Sequence, residues 1–294
     1  MTVSILNKIF NNVPELYIDD KSKFVFISDC HRGDGTWKDD LLPNLNIYTA
    51  ALKYYYKRDF TQIEIGDGDE LWKVSKIGTI YDIYPEVFNI LLKFKRKDRF
   101  YMIVGNHDEI KHSRKFRREI EKYKFDNSRK DLYDLFHELT MYEGLKLVYK
   151  PNCTKLFIIH GHQVDFINYQ LGKVACFLVR YIWSTMEQVF GFRNPTSPAK
   201  KHSKRTKVDK KLEKWVKENN QPMIAGHTHR SILSVEKNLK YFNDGCCVYP
   251  YSITCIELEK GELKLIKWQT TSLENGVLCV RRDIIGGPVK IELL

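Results

Sequence analysis

The chain has 294 residues and a formal net charge of +11, a length that can bury a full core in one large domain or in one domain with an insertion. It contains no run of about 18 apolar residues and no signal-peptide pattern, so we exclude a membrane-spanning helix and expect no secretion signal. The seven cysteines form no CxxC pair, which argues against a disulfide framework or a zinc ribbon and favours a cytoplasmic protein.

Short apolar runs alternate with helical patterns through the first three quarters of the chain, and this alternation predicts an α/β architecture. The predicted helices include Asn44–Lys57 and Pro85–Phe94. Each predicted strand ends at a polar cluster. The predicted strands are Lys23–Ser28, Thr61–Ile65, Arg99–Val104, Lys155–Ile159 and Pro222–Ala225.

The remaining segments differ from this pattern. Residues 166–215 appear mainly helical in sequence, and we interpret them as an insertion in one domain that spans residues 1–294. The last third contains further strand-like runs, which predict a second, mostly antiparallel sheet packed against the first. These runs are Lys240–Asn243, Ser252–Glu257, Glu262–Trp268 and Gly276–Arg281.

Five short segments with metal-ligating side chains directly follow the predicted strands. Strand ends at the carboxyl edge of an α/β sheet are where sites form. GNHD alone is a plausible turn and Asp-x-His alone is a weak signal, whereas GHTH alone is moderately specific. Five such segments in order, each after a strand, indicate a metal centre. They are Asp29-Cys30-His31, Gly66-Asp67, Gly105-Asn106-His107-Asp108, His160-Gly161-His162 and Gly226-His227-Thr228-His229.

The ligand chemistry of these segments suits two divalent ions. Asp67 is the natural bridging carboxylate, and Asn106 offers a neutral oxygen. Mixed oxygen and nitrogen ligation favours Mn²⁺, with Fe or Zn²⁺ as alternatives, over Ca²⁺. Cys30 is expected to point into the sheet. Two adjacent metals are a device for hydrolysing phosphate esters and anhydrides, so the sequence indicates a metal-dependent phosphohydrolase.

As a set, these motifs resemble the calcineurin-like metallophosphoesterase superfamily over residues 23–257. The matching motifs are D-x-H at Asp29, GD-x-x-[DE] from Gly66 to Glu70, GNHD, HGH and GHTH. The resemblance implies a four-layer αββα sandwich of two mixed β-sheets flanked by helices. It also implies that a hydroxide bridging two metals attacks phosphorus.

The resemblance further implies a role for each motif residue. His107 would assist the leaving group or the transferring phosphoryl group, and Asp108 would orient its ring. His160 is preferred to His162 as the ligand, because it directly follows the strand. The first metal would take Asp29, His31, Asp67 and His229, and the second would take Asp67, Asn106, His160 and His227.

Finer features resemble the branch typified by UDP-2,3-diacylglucosamine pyrophosphatase. They are Trp72 after Glu70, the HGHQVD segment ending at Asp165, and the helical insertion that includes Val174–Phe192. In that branch the insertion caps the site and takes acyl chains, whereas the plainer explanation here is packing onto the core. This chain has GNHD where branch members that process the lipid A precursor tend to have GNRD.

The substrate therefore stays open between several classes. A nucleotide-diphosphate-linked lipid or sugar fits the branch, with Arg32, Asn106 and Asp165 as substrate-binding residues and a peripheral membrane contact through 174–217. A surface salt bridge is an equal alternative for Arg32. The positive charge, clustered in 111–118 and 193–217, favours nuclease activity on DNA or RNA, or only a solvated helix face. A Ser/Thr-type protein phosphatase and a non-catalytic binding subunit fit less well.

Overall fold

The computed structural model describes residues 2–165, 202–233 and 239–294. Within them the chain forms two mixed β-sheets flanked by helices, as predicted. The helices are α1 (Thr2–Asn12), α2 (Leu45–Lys57), α3 (Ile77–Ile83), α4 (Pro85–Lys95), α5 (Arg114–Lys122), α6 (Lys130–Phe136) and α7 (His202–Asn219).

The first strands are β1 (Glu15–Ile18), β2 (Lys23–Ile27), β3 (Thr61–Ile65), β4 (Phe100–Ile103), β5 (Met141–Tyr142), β6 (Gly144–Tyr149) and β7 (Thr154–Ile159). They are followed by β8 (Met223–Ala225), β9 (Ser231–Ile232), β10 (Tyr241–Asp244), β11 (Ser252–Glu259), β12 (Glu262–Ser272) and β13 (Leu278–Lys290). The seven-stranded sheet has the order β13-β12-β11-β2-β3-β4-β5, and the six-stranded sheet has the order β1-β6-β7-β8-β10-β9.

Three layers of buried side chains hold four layers of backbone together. Phe88 of α4 belongs to the layer between the seven-stranded sheet and helices α2 to α6. Phe26 and Leu147 fill the space between the two sheets. Phe157 and Trp215 lie between the six-stranded sheet and α1 and α7, with their ring centroids 5.6 Å apart. The αββα sandwich is thereby confirmed.

The strands that lead to the predicted ligands are covered on both faces, which explains why most of their residues are apolar. Strand β3 is the exception, because it also buries Gln62 and Glu64. Strands β2, β3 and β4 run parallel in the seven-stranded sheet. Strands β7 and β8 run parallel in the six-stranded sheet. Their carboxyl ends meet at one edge of the sandwich, so the five polar segments that follow them are brought together.

The predicted arrangement of the C-terminal strands is wrong. Strands β11, β12 and β13 do not form a separate sheet, because β11 pairs antiparallel with β2 and extends the first sheet. Strand β10 instead joins the other sheet, parallel to β8. Local sequence sets the strands, but it does not set which neighbour each one pairs with.

The predicted insertion over 166–215 lies outside the described residues as far as residue 201, and its remainder belongs to α7. The segment Val174–Phe192 lies wholly outside them. Among the helices that the structure describes, none is both long enough and apolar enough to cross a bilayer.

Candidate metal centre

The first ligand cluster joins loops from both sheets. The Nε2 atom of His229 lies 3.0 Å from Oδ1 of Asp29, and Nε2 of His31 lies 3.8 Å from the same oxygen. All three side chains are at most 5% exposed. These are three of the four residues that the resemblance assigns to the first metal, and Asp67 is the fourth.

The second cluster lies beside the first and contains Asp67, His160 and His227. Nε2 of His160 is 3.2 Å from Oδ2 of Asp67, and the same oxygen is 3.9 Å from Nε2 of His31. One carboxylate therefore faces both clusters, which is the position that a bridging ligand requires. Asn106 is also buried at this edge.

The backbone of these loops is unusual. Asp29, His31, Asp67, His227 and His229 all have left-handed conformations, with φ between 49° and 67°. Such a conformation costs an L-residue on the order of 1–2 kcal/mol. Strain of this kind persists where the surrounding structure holds it, commonly at functional sites. The loops turn sharply so that alternate side chains point to one place.

Buried atoms without hydrogen bonds test whether a metal fits here. Within the described residues, Oδ1 of Asp29, Nε2 of His31, Oδ1 of Asn106 and Nε2 of His160 make no hydrogen bond of acceptable geometry. A buried polar atom without a well-formed hydrogen bond is costly, even where an oppositely charged atom lies close to it, and a bound cation would satisfy these atoms. Oxygen and imidazole nitrogen donors suit borderline divalent ions. The residues present fit such a group.

The electrostatics agree with this fit. Burial disfavours a charged imidazole, but the adjacent carboxylate of Asp67 outweighs it and raises the pKa of His160 to about 9. Burial likewise opposes ionisation of Asp67, yet the charges of His160 and His107 hold the pKa of this carboxyl well below its usual range. The negative charge of the cluster therefore attracts cations, either protons or metal ions.

His107 is oriented by Glu70, and the prediction that Asp108 performs this role is wrong. The Nδ1 atom of His107 lies 2.8 Å from Oε1 of Glu70, and the other carboxylate oxygen lies 3.1 Å from Nδ1 of His31. Asp108 instead accepts hydrogen bonds from the backbone N–H groups of Gly105 and Gly68, at 2.7 and 3.1 Å. The sequence could have pointed to Glu70, because this residue occupies the last position of the GD-x-x-[DE] motif.

Of the two roles expected for Arg32, the structure shows the salt bridge and not the phosphate contact, although the salt bridge is buried where a surface one was expected. Its side chain is fully buried, and its guanidinium pairs with Asp69 at 2.7 Å and with Glu64 at 2.9 Å. Lys111 extends the network, because its ammonium lies 2.6 Å from Asp69 and 2.9 Å from Asp108. These buried ion pairs connect the loops that follow β2, β3 and β4. Sequence reasoning missed Lys111.

The remaining predicted residues lie at the rim of the clusters. The ring centroid of His162 is 5.3 Å from that of His160, and His162 belongs to none of the ligand clusters in the described residues. Oδ2 of Asp165 lies 3.7 Å from Nε2 of His227, and its side chain is 26% exposed. Substrate binding by Asp165 stays a prediction. Cys30 is buried in the core, as expected.

The family of this chain is identified by a family model and not by individual relatives. Curated protein sequences give no match. A predicted phosphoesterase from Streptococcus pneumoniae is 12% identical, with 89% of this chain and 98% of that chain covered and a TM-score of 0.36. Vps29 from Entamoeba histolytica complexed with Zn²⁺ is 14% identical, with 90% and 99% covered and a TM-score of 0.40.

A putative 5′-nucleotidase from Staphylococcus aureus is 12% identical, with 88% of this chain and 52% of that chain covered and a TM-score of 0.34. At such identities these structures carry no conclusion about a substrate. The family model for calcineurin-like phosphoesterases matches residues 22–247, which is most of the chain and includes every predicted ligand. The chain therefore belongs to the calcineurin-like phosphoesterase family.

Proposed function

We propose that the protein is a metal-dependent phosphohydrolase that cleaves a phosphodiester or phosphoanhydride bond. The observation that carries the proposal is the single carboxylate of Asp67 facing both ligand clusters, with His107 beside it. The ion in one cluster would be held by Asp29, His31, Asp67 and His229. The ion in the other would be held by Asp67, Asn106, His160 and His227.

Two such ions, Mn²⁺ or alternatively Fe or Zn²⁺, would polarise the phosphate and activate water. Side chains of the protein itself would position and protonate the reacting groups. Glu70 holds Nδ1 of His107 at 2.8 Å, which directs the opposite ring nitrogen away from the carboxylate. The side chain of His107 is 14% exposed, so a leaving oxygen or a phosphoryl oxygen can reach this nitrogen. With both ring nitrogens protonated, it would donate a proton to the leaving oxygen or hold the phosphoryl oxygen.

For the substrate, a nucleotide-diphosphate-linked lipid or sugar is the first choice, because Trp72 and Asp165 match the motifs of that branch. Residues 174–217 would then form a peripheral membrane contact. A nuclease is the second choice. It is favoured by the exposed basic residues Arg114, Lys115, Arg117 and Arg118 of α5, which follow the GNHD loop.

The test is hydrolysis by metal-stripped protein reconstituted with Mn²⁺. Bis-p-nitrophenyl phosphate, a nucleotide-diphosphate sugar or lipid, and single-stranded DNA are offered in parallel. Turnover of the nucleotide diphosphate supports the first choice, and cleavage of DNA alone supports the nuclease. Two bound ions without turnover of any of the three would contradict the proposal.

Two variants tie any turnover to this site. His107→Ala should abolish most turnover. The metal content should stay near that of the wild type, because His107 lies beside the proposed ligands and is not one of them. Asp67→Asn should lose both ions, since the bridging position needs a carboxylate. If Asp67→Asn keeps both ions tightly bound, the bridging assignment is wrong.

A further inference from the structure

Helix α7 contributes one buried carboxylate, that of Asp209, which contacts the loop that carries His227 and His229. Asp209 is 1% exposed. Its Oδ1 accepts a hydrogen bond from Oγ1 of Thr228 at 2.9 Å, and its Oδ2 accepts one from Nη1 of Arg230 at 2.8 Å. A single side chain of α7 therefore holds both sequence neighbours of His229.

Strand β10 holds the same loop from the other side. Nδ2 of Asn243 donates to the carbonyl of Gly226 at 2.8 Å and lies 3.2 Å from Oγ1 of Thr228. The hydroxyl of Tyr241 donates to Oδ1 of Asp209 at 2.8 Å. Thr228 is 2% exposed, so its hydroxyl depends on these protein partners.

The loop needs such a restraint because its backbone is strained. His227 has φ of 67° and His229 has φ of 55°, and Thr228 lies between them. Two non-glycine residues in the left-handed region are kept there only if the surrounding contacts fix the loop. Thr228 lies between these two residues in sequence, and its hydroxyl anchors the loop by donating a hydrogen bond to Asp209.

Helix α7, which carries Asp209, is itself packed against the core. Leu212 and Trp215 are buried against the six-stranded sheet, and Nε1 of Trp215 donates to Oδ1 of Asn7 at 2.7 Å. The charge of Arg230 lies beside the buried carboxylate of Asp209 and offsets it. Asp209 belongs to none of the family motifs, so its sequence position alone gave no sign of this role.

We propose that Asp209 is a positioning residue for the metal centre. Through Thr228 and Arg230 it keeps the strained loop in the conformation that directs His227 to one ligand cluster and His229 to the other. The inference rests on the proposed function only in treating these two histidines as metal ligands.

The test is the affinity of metal-stripped full-length protein for Mn²⁺, measured by titration calorimetry for the wild type, Asp209→Asn and Thr228→Val. Both variants should bind Mn²⁺ about 10–100-fold more weakly at both sites, which is the usual effect of losing a group that orients a ligand. Far-UV circular dichroism should remain that of the wild type. Glu218→Gln is the matched control, because Glu218 lies on the exposed face of the same helix and pairs only with Lys214 at 3.6 Å among the contacts described.

A purely structural role gives a different result. If the variants unfold at a lower temperature in EDTA while their Mn²⁺ affinity equals that of the wild type, the inference is overturned. Thr228→Val conserves volume, so it decides the question even if Asp209→Asn does not fold. Wild-type protein that binds none of Mn²⁺, Fe²⁺ and Zn²⁺ would instead overturn the metal centre itself, which separates the two failures. If the wild type binds Fe²⁺ or Zn²⁺ but no Mn²⁺, the same comparison of variants is made with that ion.

Discussion

The indole ring of Trp72 stacks on the imidazole ring of His107, with the centroids 4.2 Å apart and the planes 21° from parallel. The His31 ring lies perpendicular to the same imidazole, with the two centroids 4.6 Å apart. With Glu70 bound to Nδ1 of His107, the imidazole is restrained on one face and at one nitrogen. This predicted catalytic group is therefore positioned before any substrate arrives.

Trp72→Leu should lower kcat roughly 3–10-fold, because aromatic stacking is worth about 0.5–1.5 kcal/mol beyond the area that it buries. Metal content and KM should change little, since Trp72 is not among the ligands. Steady-state kinetics and metal analysis give these values. Trp37→Leu is the control, because Trp37 is 54% exposed. Loss of metal from Trp72→Leu would show that the ring supports the clusters instead.

Glu70→Gln should affect both catalysis and metal binding, because the two oxygens of Glu70 contact His107 and His31. We expect kcat to fall on the order of 100-fold and Mn²⁺ affinity to fall about 10–100-fold. Kinetics at saturating Mn²⁺ and calorimetric titration separate the two effects. Glu109→Gln is the control, because Glu109 directly follows the GNHD motif and is exposed. This variant should leave both kcat and Mn²⁺ affinity unaltered. A Glu70→Gln enzyme with normal kcat would contradict the assignment.

Lys111→Met should destabilise the protein by about 3–5 kcal/mol, because it removes one partner from a fully buried charge network. Burial opposes the charge of Lys111, but Asp108 and Asp69 raise its pKa, so the cation is retained. Urea unfolding of the metal-free protein measures the loss. Lys53→Met removes the exposed pair with Glu86 and should cost at most about 1 kcal/mol. Equal losses in the two variants would exclude the buried network as a source of stability.

Glu15 should make stability depend on pH. Hydrogen bonds from Lys155 and Lys146 lower the pKa of Glu15 from 4.5 to about 2. Because the folded pKa lies below the ordinary value, the stabilisation is complete above pH 4.5 and is lost as the pH falls towards 2.

Glu15→Gln should therefore cost on the order of 1 kcal/mol at pH 6, a modest value because 26% of the Glu15 side chain is exposed. The cost should shrink at pH 3, where the wild-type carboxylate begins to protonate. Urea unfolding of both proteins at the two pH values measures the difference. A cost that is the same at both values would mean that the ion pairs do not stabilise the fold.

Local sequence determined the strands and the order of the ligand loops. Thr61–Ile65 was predicted with its observed ends, and the other four strands that precede the motifs were predicted to within one residue. Strands buried on both faces are rich in apolar and β-branched residues, and the polar residues that follow them mark the end of the sheet. Strand β3 keeps this pattern at Ile63 and Ile65, although it also buries Gln62 and Glu64. The proximity of Asp29 and Asp67 then follows from the shared edge of one sheet, whereas His160 reaches them because the second sheet packs against the first.

Only the tertiary structure decided which side chains act as partners across the loops. Arg32 is buried beneath the site, Glu70 replaces Asp108 beside His107, and Asp209 reaches the GHTH loop from a helix outside every motif. It also placed β11 beside β2. Each of these contacts joins residues far apart in the chain. Their pairing depends on packing and on the satisfaction of buried charges, which local periodicity does not encode.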